Sequence, residues 1–137
     1  MLILHQSDYQ NMLAHARAGF PNEACGLIAG TIRDGIAEVQ RAYLMTNADG
    51  SREHFSIDPK EHMAAIKDMR ANGYIPLGNW HSHPETPSRP SEEDKRMAYD
   101  SNALYLILSL QDKDAPVLNA FRIIDRKEVI KEEIDLK

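Results

Sequence analysis

A mixed β-sheet flanked by helices, the α/β class, is what this sequence predicts. Three observations carry that prediction. The 137 residues suit one compact domain spanning residues 1–137, with no repeat and no low-complexity linker to divide it. Stretches of period-two apolar alternation are interleaved with stretches of helical periodicity, rather than segregated into separate halves. Gly, Pro and Asn-Gly punctuation falls between them at short intervals.

Taken in order, Leu2–His5 reads as a short strand. Ser7 is placed to cap a helix over Asp8–Ala18, with Met12, Leu13 and Ala16 on one face and Gly19 and Pro21 closing it. Cys25–Ile32 is small and apolar and reads as a central strand. The Arg33-Asp34-Gly35 turn leads it into a hairpin partner over Ile36–Met45. Thr46–Glu53 is polar and irregular, and the alternation of Phe55 and Ile57 suggests a short strand. Asp58-Pro59 then opens a helix to Ala71, with Pro59 at the first helical position and a stripe of Met63, Ile66 and Met69. Asn72-Gly73 ends it. Tyr74–His83 is a strand. Pro84–Pro90 holds three prolines and cannot be helical. Ser91 is set to cap a helix reaching Asp100. Leu104–Leu110, Val117–Ile124 and Val129–Ile134 read as the closing strands.

Composition narrows the function classes. Lys and Arg total 16 against 21 Asp and Glu, a formal net charge of −5. Nucleic-acid binding driven by phosphate contacts needs a basic footprint that this chain lacks. The single cysteine, Cys25, permits neither an internal disulfide nor a cysteine-rich structural zinc site, which makes a reducing cytoplasm the default location. The N-terminus has no basic segment followed by a long apolar one, so no signal peptide is expected. The longest apolar run, Ala103–Leu108, is too short to span a bilayer, so no membrane association is expected.

The chemistry concentrates in His81-Ser82-His83-Pro84-Glu85-Thr86-Pro87-Ser88-Arg89-Pro90-Ser91-Glu92-Glu93-Asp94. Two histidines two residues apart on a strand share one face, and Pro84 ends the strand so that both rings sit at its mouth. Asp94 falls in the first turn of the next helix, and a stiff proline loop can fold that turn back toward the histidines. Two imidazoles and a carboxylate suit Zn²⁺, with a fourth position left for water, as in catalytic sites. A His-x-His pair alone is commonplace on strand surfaces, and Ser91-x-x-Asp94 is equally a helix-start pattern. Capping by Ser91 and ligation by Asp94 are compatible.

With those residues in place, the chain resembles the JAMM (or MPN) metalloproteases. His81-x-His83-Pro84, six residues, then Ser91-x-x-Asp94 is similar to that family's signature. Pro21-x-Glu23-x-Cys25-Gly26-Leu27-x-x-Gly30 looks like its segment carrying a catalytic glutamate, and Phe55-x-Ile57-Asp58-Pro59 like its middle region. The resemblance runs from about Ser7 to Asp125. It implies a mixed sheet between helices, similar to the cytidine deaminases. It also implies one catalytic zinc ion on His81, His83 and Asp94, with Glu23 acting on the zinc-bound water and Ser91 supporting the developing oxyanion. The implied activity is hydrolysis of a peptide or isopeptide bond. The compact, insertion-free length looks most like prokaryotic members that cleave after the C-terminal Gly-Gly of ubiquitin-like sulfur-carrier proteins. A non-catalytic scaffold of the same fold is the alternative, and a homodimer stays open. Zinc-dependent deamination would need a Pro-Cys-x-x-Cys pair, which one cysteine excludes.

Other candidates have plainer readings. Cys25 is a small buried residue rather than a nucleophile. Trp80 points away from His81 into the core. His5, His15, His54 and His62 lack ligand spacing and read as ordinary surface or core residues. Ser82 reads as making local hydrogen bonds.

Overall fold

A computed structural model describes residues 1–137. Eleven elements follow one another: β1 (Leu2–Leu4), α1 (Gln6–Gly19), β2 (Cys25–Arg33), β3 (Ile36–Met45), α2 (Pro59–Asn72), β4 (Ile75–His83), α3 (Glu92–Arg96), β5 (Leu104–Ser109), β6 (Val117–Ile124), β7 (Glu128–Glu132) and β8 (Ile134–Leu136). All eight strands join one sheet in the order β7-β6-β5-β4-β2-β3-β1-β8. The β2–β3 hairpin is antiparallel, whereas β4 and β5 run parallel. The α/β class with a mixed sheet is therefore observed. No helix is long and apolar enough to cross a membrane.

Alternation along the strands divides the side chains between two faces. Ala24, Ile28, Trp80, Leu106 and Leu108 face one way and form the main core with Met12, Leu13 and Ala16 of α1. Cys25, Ala29 and Met45 face the other way and pack under Ala65 and Met69 of α2. Trp80 is fully buried, and its indole N–H donates to the Tyr43 carbonyl at 3.0 Å, satisfying the one polar atom that its burial would strand. Gly26 is required beside it, because a Cβ there would collide with that carbonyl and with the indole nitrogen.

Several boundaries differ from the sequence expectation. The hairpin turn forms as expected, with Asp34 and Gly35 both at positive φ, 52° and 77°, the geometry of a twist-matched two-residue turn. By contrast, α1 starts at Gln6, with His5 at its cap and no side-chain cap bond, so Ser7 lies inside the helix. The Phe55/Ile57 strand is reduced to one isolated bridge, Asn47 with Ile57. The buried face of α2 runs through Ala65 and Met69, while Met63 is 57% exposed, because the helix touches the sheet along a narrow stripe. The third helix ends at Arg96 instead of Asp100 and buries none of its residues, so packing offers nothing to extend it. The single closing strand is in fact two, β7 and β8, which lie at opposite edges of the sheet.

Candidate metal centre

The C-terminal end of β4 carries the centre. β4 lies between β2, antiparallel, and β5, parallel, so its side chains at that end are enclosed on both flanks. His81 and His83 point to the same face and are 2% and 4% exposed. Between them Ser82 turns to the opposite face. Its Oγ accepts the Ala24 amide at 2.8 Å and its own amide donates to the Ala24 carbonyl at 2.9 Å. These bonds bridge two strands distant in sequence and are not local. They also fix the chain next to Glu23. The Glu23 amide donates to the Ser51 carbonyl at 2.7 Å, and the Asn47 side-chain amide donates to the Glu23 carbonyl at 3.0 Å.

The proline loop after β4 is bound to the ends of β5 and β6. Ser88 Oγ donates to the Ile107 carbonyl at 2.6 Å, Ser109 Oγ to the Thr86 carbonyl at 2.6 Å, and Asn119 Nδ2 to the Ser88 carbonyl at 3.1 Å. This loop delivers α3 back over the histidines. Ser91 caps α3 through a reciprocal box. Its Oγ accepts the Asp94 amide at 3.0 Å, while its own amide donates to Asp94 Oδ2 at 2.9 Å.

That same Oδ2 faces both imidazoles. It stands 3.2 Å from His81 Nε2 and 3.1 Å from His83 Nε2, and the two Nε2 atoms are 3.1 Å apart. Three donor atoms thus form a nearly equilateral triangle that could hold a metal ion. Ligands 2.0–2.1 Å from a tetrahedral zinc stand about 3.3–3.4 Å apart, so the triangle is close to the size zinc requires. The His83 tautomer agrees. Its Nδ1 lies 2.9 Å from the Pro87 carbonyl, which only accepts, so Nδ1 carries a proton and Nε2 is the nitrogen that would ligate a metal once deprotonated. His81 stacks on Phe55, ring centroids 4.8 Å apart and planes 26° apart. Phe55 therefore serves the centre rather than a strand.

The electrostatics follow from burial and crowding. Glu23 is 4% exposed and its Oε1 has no hydrogen-bond partner. Burial pushes its pKa up to about 8, with His83 opposing and Asp94 adding to the rise. Asp94 shows the reverse. Burial alone would raise it, but the hydrogen bonds from His81 and His83 outweigh that and hold it below the usual carboxylate range. Burial would lower His83, yet its bonds to Asp94 and Pro87 raise it instead. Cys25 is fully buried and its thiol is pushed up to about 12 by burial, so no thiolate is available.

A cleft of about 360 Å³ opens beside the triangle, bounded by Phe55, His81, Asp94, Met97, Ile107 and neighbouring residues. It exists because α2 covers only part of this face and α3 is too short to cover the rest. The model of the prokaryotic homologs of the JAB domain matches residues 5–124. The chain belongs to the JAB/MPN family. Among JAB/MPN relatives, the chain is 32% identical over 125 residues to the CysO-cysteine peptidase of Mycobacterium tuberculosis, covering 91% of this chain and 84% of that one. It is 33% identical over 104 residues to the desampylase of Haloferax volcanii, covering 72% and 73%. The solution structure of a protein from Desulfitobacterium hafniense superposes with a TM-score of 0.91 at 50% identity, covering 100% of this chain and 93% of the other.

The fold of this JAB/MPN chain gathers His81, His83 and Asp94, and places Glu23 two residues before Cys25, which pairs with His81 across the sheet. His81, His83 and Asp94 form the triangle, Ser91 is bonded to Asp94, and Glu23 feels both His83 and Asp94. Trp80 is core, as expected, and His5 and His15 pair with Glu38 and the Met45 carbonyl. His54, read as ordinary, lines the cleft, with its Nδ1 3.1 Å from Asp49. Ser88, Ser109 and Asn119 had no motif to mark them, and the Phe55 motif carried no role for its ring, since these contacts are made across the fold.

Proposed function

We propose that this chain is a zinc-dependent peptidase that hydrolyses the bond following the C-terminal Gly-Gly of a ubiquitin-like or sulfur-carrier protein. The observation that carries the reading is the convergence of three zinc-type donors beside a buried carboxylate with an unpartnered oxygen. The names of the two peptidase relatives supply the substrate class. His81, His83 and Asp94 would hold the ion, and the donor set and spacing fit it. When bound, zinc acidifies a water molecule and polarises the scissile carbonyl.

The chain's own residues do the rest. Asp94 Oδ2 is fixed by the Ser91 amide, so a ligand oxygen is aimed before any metal arrives. Glu23 takes a proton from the attacking water and passes it to the leaving amine. With a pKa near 8 before metal binding, it gains or loses a proton at modest cost near neutral pH, and a nearby dication would pull that value down. The Ser91 hydroxyl accepts the Asp94 amide through oxygen, which leaves its hydrogen free to donate to the developing oxyanion. The test is metal analysis of the purified protein together with turnover of a Gly-Gly fusion by wild type and Glu23→Gln. About one zinc per chain in both, and turnover in the wild type only, is the expected result. Equal turnover would remove Glu23 from the mechanism.

A further inference from the structure

Asn79 is out of character for its place in the sheet. β4 is a central strand, and Asn79 pairs with Leu27 of β2 on one side and with Tyr105 of β5 on the other. Asparagine is depleted in such strands, and a half-buried polar side chain ordinarily finds a partner. The side-chain amides of Asn47, Asn72 and Asn119 do so. That of Asn79 has no partner in the protein, and the residue borders two adjoining hollows of about 360 and 440 Å³. The first is the cleft beside His81 and Asp94, and the second continues past Leu27, Leu77 and Leu104. Asn79, Met97 and Tyr105 border both hollows. The Tyr105 hydroxyl is already bonded to the Asp100 carbonyl at 3.3 Å. Of the three side chains at the junction, only that of Asn79 therefore offers an uncommitted hydrogen-bonding donor and acceptor.

Strand register gives the direction in which a substrate would lie. Asn79 and His81 are two residues apart on one face, a spacing of about 7 Å. Cys25 pairs with His81 in antiparallel register, so Glu23 lies toward His83 and Asn79 lies on the other side of His81. Glu23 serves the leaving amine, which puts the leaving group at the His83 end and the acyl tail at the Asn79 end. An extended tail whose last Gly carbonyl sits at the triangle brings the residue before Gly-Gly, two positions back, level with Asn79. A carboxamide both accepts and donates, so it matches the N–H and C=O of one extended residue.

We propose that Asn79 is a substrate-binding residue that grips the main chain of the residue before Gly-Gly and so sets the tail in register with the metal triangle, a role that rests on the peptidase reading.

Backbone methylation tests it. A ubiquitin-fold protein ending in Gly-Gly, amide-linked to a short peptide, is prepared with an ordinary or an N-methylated residue before the Gly-Gly. The methyl group removes the N–H that Asn79 would accept. With the zinc-loaded wild type it should lower kcat/KM at least about tenfold, chiefly through KM, because the contact lies away from the reacting bond. Asn79→Ala should cleave the ordinary substrate at least about tenfold less well, and methylation should then change its rate by less than about twofold. Asn79→Leu, of similar size, should behave in the same way, with zinc content and melting temperature confirming intact protein. Calorimetry with the Glu23→Gln protein should show the same loss in affinity for the methylated substrate. Equal losses on methylation in wild type and both variants, or wild-type cleavage of the ordinary substrate by either variant, would overturn the role of Asn79 and leave the peptidase reading standing. No turnover of the ordinary substrate by the wild type would overturn both.

Discussion

Two helix starts in this molecule use aspartate, and they use it differently. At α2, Asp58 precedes Pro59 and its Oδ1 accepts the amides of Lys60 and Glu61 at 2.8 and 3.4 Å. The helix it begins runs 14 residues and buries Ala65 and Met69. That aspartate is purely structural. At α3, Ser91 is the cap and Asp94 completes the box, but the helix runs five residues and buries none of them. Hydrophobic packing holds α2 in place, whereas α3 is held by its cap and by the loop before it. A cap so well formed on a helix so poorly packed is explained by Asp94 Oδ2, which the box aims at His81 and His83.

The largest effect should come from substituting the two aspartates in parallel. Asp94→Ala should lose most of the bound zinc and all measurable turnover, because two imidazoles alone make a poor zinc site. Asp58→Ala should keep zinc and turnover and lose about 1 kcal/mol of stability, or about 4 °C in melting temperature. Zinc analysis and thermal melts of both variants decide it, and retention of zinc by Asp94→Ala would erase the distinction.

Glu23→Gln isolates the chemistry from both caps. It preserves size and hydrogen bonding, so zinc content should hold while turnover falls by roughly 10² to 10⁴-fold. As a control, alkylating reagents should leave activity intact, since Cys25 is buried with its thiol near 12, whereas a chelator should abolish activity and added zinc restore it.

Ser91→Ala sharpens the contrast between cap and catalyst. Losing the cap should cost about 1 kcal/mol, comparable to Asp58→Ala. Unlike Asp58→Ala, it should also slow turnover, by roughly tenfold or more, through the lost oxyanion donor. A pure stability loss with unchanged kcat would make Ser91 no more than a second Asp58.

The smallest effect concerns the metal-free protein and its pH dependence. Asp94 is held below the ordinary carboxylate value by His81 and His83 despite its burial. Its contribution to stability is therefore present above pH 4 and fades as pH falls below that value. His83, whose bonds to Asp94 and Pro87 outweigh burial, is raised above 6.5. Its contribution is present below 6.5 and is lost as pH rises through the higher folded value. Glu23, pushed up to about 8 by burial, also costs stability as pH rises above about 4.5. The metal-free melting temperature should thus peak between about pH 4 and 5 and decline toward pH 8, and Glu23→Gln leaves the His83 part of that decline. With zinc bound, affinity rises with pH because the ligands must be deprotonated, so the decline should vanish. A metal-free Glu23→Gln protein equally stable at pH 6 and 8 would mean that the His83–Asp94 contact contributes nothing.

The sequence by itself determined the α/β class, most of the element order and the spacing of His81, His83, Ser91 and Asp94, whereas Glu23 was marked only by the resemblance to the family. The physical reason is that period-two alternation, turn residues and caps are local. His81 and His83 share a face through their spacing alone, and Ser91-x-x-Asp94 forms its box within one helical turn. What only the tertiary structure decided was long-range. It set the split of the last strand between two sheet edges and the early end of α3, because packing partners fix where elements stop. It turned Phe55 from a strand residue into the ring against His81, and Ser82 into the link that holds the chain at Glu23. Above all, it brought Glu23 from the start of β2 to the end of β4. The pairing of Cys25 with His81 across the sheet does this, and strand register is set by packing the whole sheet rather than by any motif within one strand.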